Sequence, residues 1–302
     1  MFDIIIIGAG PAGLTAAIYA RRAQKTVLVL EAMNYGGQIV NTLDIENYPG
    51  EEHISGFDFA TKLYNQTKNL GAEFVFEKAF EIIPHDDYQE VRTNNDYYQA
   101  KAIILATGVS HRKLEIAGEE AFLGKGVSYC ATCDGNFFKG QDVAVIGGGD
   151  TALEDALYLS DIAHKVYLIH RRGEFRGSSS TVLKITQKEN IEVLYNTQVI
   201  EILGEETLNS VFIRSSDGVE KSIPVTGVFI AIGQVPVNDA FSNVVNLDEN
   251  GYIQANESCQ TNSKGIFVAG DNRAKKVRQL VTATSDGAVA AVEAIRYINN
   301  QN

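Results

Sequence analysis

Cys130 and Cys133 stand two residues apart in the run Cys130-Ala131-Thr132-Cys133, and an acid, Asp134, follows at once. Three chemistries suit such a pair: half of a zinc site, an inert core pair, or a dithiol that cycles with its disulfide. Zinc needs four ligands. Beyond the pair the chain has one more cysteine, Cys259, and five histidines, with no second Cys-x-x-Cys. The redox reading is favoured, because two intervening residues let the sulfurs close a strained, readily reduced disulfide. Asp134 is placed to pass a proton to or from a thiolate during exchange. Its alternative reading is a turn or cap aspartate. Cys259, outside any motif, reads as a small buried apolar residue.

Two glycine-rich fingerprints flank the pair. The first is Gly8-Ala9-Gly10-Pro11-Ala12-Gly13, between the apolar run Phe2–Ile7 and a helical segment, Leu14–Arg22. That strand-turn-helix context is what a dinucleotide site requires. Gly8 serves the tight turn, Gly10 lets backbone approach a pyrophosphate, and Gly13 lets helix pack on strand. The helix N-terminus then faces the phosphates. The next strand, Thr26–Leu30, ends in Glu31, whose carboxylate can bind ribose hydroxyls and repel a 2′-phosphate. The second fingerprint is Gly147-Gly148-Gly149-Asp150-Thr151-Ala152, after strand Val143–Ile146. His170 holds the place that Glu31 holds in the first unit, and Arg171, Arg172 and Arg176 follow. Acid has become base. A cationic group there fits a ribose 2′-phosphate, so the second site reads as NADP(H) and the first as an unphosphorylated dinucleotide.

Elements must hold these residues in place. Ala102–Val109 and Gly227–Val235 each read as a closing strand ending beside a cofactor. Another strand, Gly265–Ala269, ends in Gly270-Asp271 and leads to a helix, Val281–Ile298. Asp271 is placed for a ribityl or pyrophosphate-side hydroxyl; a cap or turn is its other reading. The expected fold is α/β, with two Rossmann-like three-layer dinucleotide-binding domains, the second inserted in the first. The expected boundaries are 1–115 and 245–302 for the first domain and 116–244 for the second, with hinges near Gly118 and Gly233.

The chain has 302 residues, enough for two cores, with 26 Lys and Arg against 38 Asp and Glu, a net charge of −12. Such an acidic surface argues against nucleic acid as a partner. No stretch reaches the ~20 apolar residues that span a membrane. Few cysteines and no export signal point to a reducing cytoplasm.

These motifs resemble one family. GAGPAG (8–13), GGQ (36–38), ENYPG (46–50), ATG (106–108), CATCDG (130–135), GGGDTALE (147–154), HRRGEFR (170–176), IFVAGD (266–271) and RQLVTATSDGAVAA (278–291) occur in the order and spacing of low-molecular-weight, bacterial-type thioredoxin reductases. The chain departs from the usual pattern at Gly173, Gly177 and Asn272. The resemblance implies FAD in the first domain, held by Gly8, Gly10, Pro11, Ala12, Gly13 and Glu31. Gly36, Gly37, Gln38, Asn47, Thr107 and Gly108 would complete one wall, and Gly270, Asp271, Arg278, Gln279 and Leu280 the other. It implies NADPH in the second domain, on Gly147, Gly149, Asp150, Thr151, Ala152, His170, Arg171, Arg172 and Arg176. It also implies a homodimer and thioredoxin as disulfide substrate. Cys133 would take electrons from the flavin, and Cys130 would attack the substrate disulfide. Two alternatives stay open: the same flavin-dithiol core fed by ferredoxin or F420, or serving a peroxiredoxin-type partner; and a nucleotide-binding regulatory or scaffold protein without turnover.

Overall fold

The computed structural model describes every residue except Leu43 and Asn302. The first strand, β1 (Phe2–Ile7), shows why its apolar run is unbroken. Ile4 and Ile6 enter one core with Leu14, Ala17 and Ala290, while Ile5 and Ile7 enter another with Leu28, Ile103 and Phe241. A strand covered on both faces must be apolar on both. Helix α1 (Pro11–Arg22) opens on proline, which has no N–H to leave unsatisfied in the first turn. Then come β2 (Val27–Leu30), a 3-10 turn at Gly37–Asn41, and α2 (Gly56–Asn69). Ser55 caps α2, its Oγ accepting from the Asp58 N–H at 3.0 Å. Strands β3 (Glu73–Val75), β4 (Ala79–Pro84), β5 (Gln89–Thr93) and β6 (Tyr97–Leu105) follow.

The chain leaves this unit along β7 (Val109–His111). Next are β8 (Val127–Ser128), α3 (Ala131–Asp134), β9 (Asp142–Gly147), α4 (Asp150–Ser160), β10 (Lys165–Ile169) and α5 (Ser179–Thr186). They are followed by β11 (Ile191–Leu194), β12 (Thr197–Gly204), β13 (Leu208–Ser215), β14 (Glu220–Pro224) and β15 (Gly227–Ala231). The return passes through β16 (Gln234–Pro236), which pairs with β7. Strand β17 (Ile266–Val268) and helix α6 (Leu280–Asn299) complete the chain.

Two compact units result, Met1–Ser110 with Val235–Asn302, and His111–Gln234. Residues 235–244 go with the first unit because Phe241 and Val244 pack against its sheet. Gly118 lies inside the second unit, where an added Cβ would sit 2.0 Å from the Ile202 carbonyl oxygen. In the first unit β3, β2, β1 and β6 run parallel. The long β6 offers its other edge to β5 through its first residues and to β17 through its last. In the second unit the order is β11-β10-β9-β15-β8, all parallel, with β12, β13 and β14 as a separate antiparallel sheet. Val143 and Val145 face helices α4 and α5, and Ala144 and Ile146 face the antiparallel sheet. That alternation gives three layers.

Candidate functional site

In the first unit the carboxyl ends of β1, β2, β6 and β17 meet, the place where open α/β sheets take ligands. The turn after β1 is tight: Gly8 has φ +111°, and a Cβ there would lie 2.2 Å from the Ala106 carbonyl oxygen. At Gly13 a Cβ would lie 1.9 Å from the Gly8 carbonyl oxygen. Gly10 differs, since the nearest atom to its added Cβ is the Gly37 Cα at 4.0 Å. Gly10 is also the N-cap of α1 and makes no side-chain cap bond, so the first N–H groups of α1 face that open space. A pyrophosphate fits there, bound by backbone donors and the helix dipole. Pro11 and Ala12 form the first turn beside it.

Glu31 sits across the same turn. Its Oε2 accepts from the Ala9 N–H at 2.8 Å and its Oε1 from the Met33 N–H at 3.0 Å. A carboxylate has about four acceptor positions, so acceptors remain for two ribose hydroxyls. The Gly36 N–H donates to the Ala9 carbonyl at 2.8 Å, which brings the 36–38 turn over the fingerprint. Gln38 is exposed on that turn. Thr107 belongs to a buried amide network: its hydroxyl donates to Asn238 Oδ1 at 3.0 Å and accepts from Asn272 Nδ2 at 2.9 Å. Gly108 follows at φ +67° with open space around it. Asn47 reaches Gln279, Nδ2 to Oε1, at 3.4 Å, and Gln279 closes a capping box on α6 with Thr282. Leu280 packs with Ile45, Ile54 and Phe59. Gly270 fits under Ala12, 2.8 Å from an added Cβ to the Ala12 Cβ. Arg278 lies over the Tyr252 ring at 3.9 Å. Burial raises the Asp271 carboxyl above its ordinary range, opposed by Lys275 and Arg278. Its Oδ1 is buried and takes no hydrogen bond among the described residues. A buried carboxylate with acceptor positions to spare, beside an open glycine turn, fits a flavin dinucleotide's hydroxyls.

The second unit carries the dithiol and the second fingerprint on one edge of its sheet. Cys130 and Cys133 form a disulfide, Cα to Cα 5.3 Å. Cys130 follows β8 and caps the short α3. Ser128, which sequence reasoning missed, ties the motif together. Its Oγ accepts from the Cys130 N–H at 3.0 Å, and its hydroxyl donates to Asp134 Oδ2 at 2.5 Å. Burial pushes the Asp134 carboxyl up, partly offset by Ser128. A raised carboxyl suits a group that must carry a proton near neutral pH. Tyr129 is anchored too. It stacks on His111 with ring centroids 4.7 Å apart and donates to the buried Glu119 at 2.8 Å. Glu119 also accepts from the Leu114 and Glu115 N–H groups.

The second glycine turn repeats the first. A Cβ at Gly147 would lie 2.4 Å from the Ala231 carbonyl oxygen, and Gly149, the N-cap of α4, has nothing within 4 Å. Thr151 is exposed in the first turn of α4, and Ala152 is buried beneath Gly147. Asp150 Oδ1 accepts from the Ser178 N–H at 2.7 Å. Gly177 touches this corner: its Cβ would meet Leu153 at 2.5 Å. Strand β15 lies between β9 and β8, so the fingerprint and Cys130 are roughly 10 Å apart across the sheet edge.

His170 differs from the arginines after it in being buried. The expected cationic cluster began with it, but its ring is buried against Gly148, whose added Cβ would meet it at 2.2 Å. Its Nε2 bonds the Glu174 carbonyl at 3.0 Å, and burial lowers its pKa below 6.5. Burial disfavours its charged form, and the ring braces the turn. The positive charge there belongs to Arg171, Arg172 and Arg176, all exposed and without an ion pair among the described residues. Cys259 is the buried apolar-type residue expected, its thiol pushed up to about 12 chiefly by burial. Asp44, Glu46 and His53 also converge, and the His53–Asp44 ion pair at 2.7 Å accounts for their grouping. Among the described residues no helix is long and apolar enough to cross a membrane.

Comparison with known proteins agrees with this geometry. Residues 2–287 match the family described as pyridine nucleotide-disulphide oxidoreductase. A thioredoxin reductase of Listeria monocytogenes is 44% identical over 300 residues, 99% of this chain and 94% of that protein. One from Bacillus subtilis is 42% identical over 99% of this chain and 95% of its own. Among solved structures, the thioredoxin reductase of Streptococcus pyogenes is similar with a TM-score of 0.96, at 39% identity and 99% coverage of both chains.

Proposed function

The chain belongs to the pyridine nucleotide-disulphide oxidoreductases and, within them, to the low-molecular-weight, bacterial-type thioredoxin reductases; from that premise we propose an NADPH-dependent thioredoxin-disulfide reductase that uses FAD and acts as a cytoplasmic homodimer. It is an oxidoreductase of a family that uses flavin and pyridine nucleotide. The observation that carries the reading is the Cys130–Cys133 disulfide with a half-buried acid next to it, in the unit that bears the exposed arginines.

Bound FAD would supply two-electron transfer between a reduced nicotinamide and a disulfide. The residues around Gly10, Glu31 and Asp271 hold it. Arg171, Arg172 and Arg176 select the 2′-phosphate of NADPH by charge-assisted hydrogen bonds. Once Cys130 and Cys133 are reduced, the Cys130 thiolate attacks one sulfur of the thioredoxin disulfide. A mixed disulfide forms and a thioredoxin thiolate leaves. The Cys133 thiolate then attacks Cys130 Sγ, which restores the internal disulfide and releases the second thioredoxin thiolate. Asp134 passes protons to and from these sulfurs, and Ser128 holds it in place.

The test is reduction of a disulfide reporter by NADPH with and without added thioredoxin. Turnover that needs both thioredoxin and the Cys130–Cys133 pair is expected. Turnover unchanged in Cys130→Ser with Cys133→Ser would sink the reading.

A further inference from the structure

Asp271 is fixed from two sides. Its carbonyl accepts from Arg278 Nε at 3.1 Å. Its Oδ1 lies 3.4 Å from Lys275 Nζ, an ion pair. Lys275, its side chain 9% exposed, also donates to Asp286 Oδ2 at 3.0 Å. Asp286 comes from the middle of α6. It accepts from Arg273 through Nε at 3.2 Å and Nη2 at 3.1 Å, and from the Gly270 N–H at 3.2 Å. Two acids and two bases therefore share an interior site beside the turn that follows β17.

Packing alone does not call for this. Burying charge is unfavourable unless each group is paired, and apolar residues would fill such a site at least as well. Arg273 and Asp286 satisfy each other. Lys275 reaches both acids, and its ammonium 3.4 Å from Asp271 Oδ1 draws that acid toward ionisation, while a carboxylate keeps further acceptor positions for another donor. We propose that Lys275 is a positioning residue for the flavin site, holding Asp271 as an ionised acceptor for a ribityl hydroxyl. The proposal rests on the reading that Asp271 contacts FAD. An ionised acceptor makes the stronger hydrogen bond, so the protonated acid holds FAD less well.

The groups facing Asp271 set the direction of each change. Burial raises its carboxyl most, Lys275 and Arg278 lower it, and Asp286 raises it. FAD affinity should thus fall as pH drops through the Asp271 titration. Without Lys275 that fall moves to higher pH; without the Asp286 charge it moves to lower pH.

The experiment is FAD titration of the apoprotein, followed by flavin fluorescence from about pH 5.5 to about 8.5. In Lys275→Met the acid limb shifts up, and affinity in the middle of the range falls about tenfold. Lys275→Arg keeps the wild-type profile. Asp286→Asn, which carries the test if Lys275→Met does not fold, moves the limb the other way. Asp271→Asn flattens the profile, alone or combined with Lys275→Met. A uniform loss at every pH in Lys275→Met, or an acid limb that does not move in either variant, overturns the proposal. If Asp271→Asn binds FAD like the wild type at every pH, the contact of Asp271 with FAD is what fails.

Discussion

Asp155, in the middle of α4, has its carboxyl raised to about 7 by burial, with Glu154 adding to the rise. In the unfolded chain it returns to the ordinary carboxylate value of 3.8. Between those values the folded state binds more protons than the unfolded state, so stability falls as pH rises through the window. Asp155→Asn removes the charge from both states. Its gain over the wild type should grow from about pH 4 to about pH 7 and then level off, reaching at most roughly 4 kcal/mol. Urea midpoints across that range would check this, and a gain independent of pH would count against it. The arginines carry the second residue-scale prediction. Each charge-assisted bond to a 2′-phosphate contributes about 1.5–3 kcal/mol. Arg171→Ala with Arg172→Ala should therefore raise the KM for NADPH about a hundredfold and leave that for NADH nearly unchanged. Equal effects on both nucleotides would refute the assignment. The exposed arginines could be picked out in the sequence because they follow His170, which stands where the first unit has an acid. The burial of His170 was not legible, since nothing in the spacing shows that its ring fills the space above Gly148. Ser128 was equally hidden: a serine two residues before a cysteine carries no signal until the turn brings its hydroxyl to Asp134.

Elements in this protein are placed by contacts between backbones as much as by side chains. Helices α1 and α6 lie together on one face of the first sheet, and Gly287 of α6 meets α1 where its added Cβ would be 2.2 Å from the Ala12 carbonyl oxygen. Ala12 belongs to the fingerprint. Gly287→Ala is therefore a test with an informative sign. Helix propensity alone would favour alanine by about 1 kcal/mol. The contact predicts a loss instead, about 1–3 kcal/mol from overpacking, together with weaker FAD retention as α1 is pushed from its strand. A more stable variant with full flavin content would show that α1 and α6 adjust freely. Strand and helix positions around the fingerprints were readable from the sequence, because β1, β2, β9 and β10 are apolar runs that end at glycine or a charge. The small antiparallel sheet β12-β13-β14 was not. Its strands alternate buried and exposed residues, and no motif marks them. The Glu119 cluster escaped for a related reason: an acid in a polar stretch reads as solvated, and only the fold shows three donors converging on it.

At the scale of the whole molecule, the insertion has boundaries that the sequence placed by glycine and proline and the structure places by packing. The compact unit runs from His111 to Gln234, while the polar linkers suggested 116–244. The difference lies in Phe241, Val244 and Val245, apolar residues in a segment whose neighbours are polar, and these join the first core. The second unit has its own three layers, with Phe229 and Leu159 on one side of its sheet and Ile146 and Val211 on the other. Its ends meet, because β7 and β16 pair with each other, and paired strands lie about 4.8 Å apart. A unit with its own core and adjacent termini should fold alone. Residues 111–234, expressed without the rest of the chain, are expected to unfold cooperatively. They should also form the Cys130–Cys133 disulfide and bind 2′-phosphorylated nucleotide in preference to NADH. The rejoined remainder, 1–110 linked to 235–302 by a few glycines, should retain FAD. Thiol titration, thermal unfolding and flavin absorbance would read each half. An insert that unfolds without a cooperative transition, or a remainder that cannot hold flavin, would mean that each unit depends on the other for its core, and the division at residues 110 and 235 would lose its physical meaning.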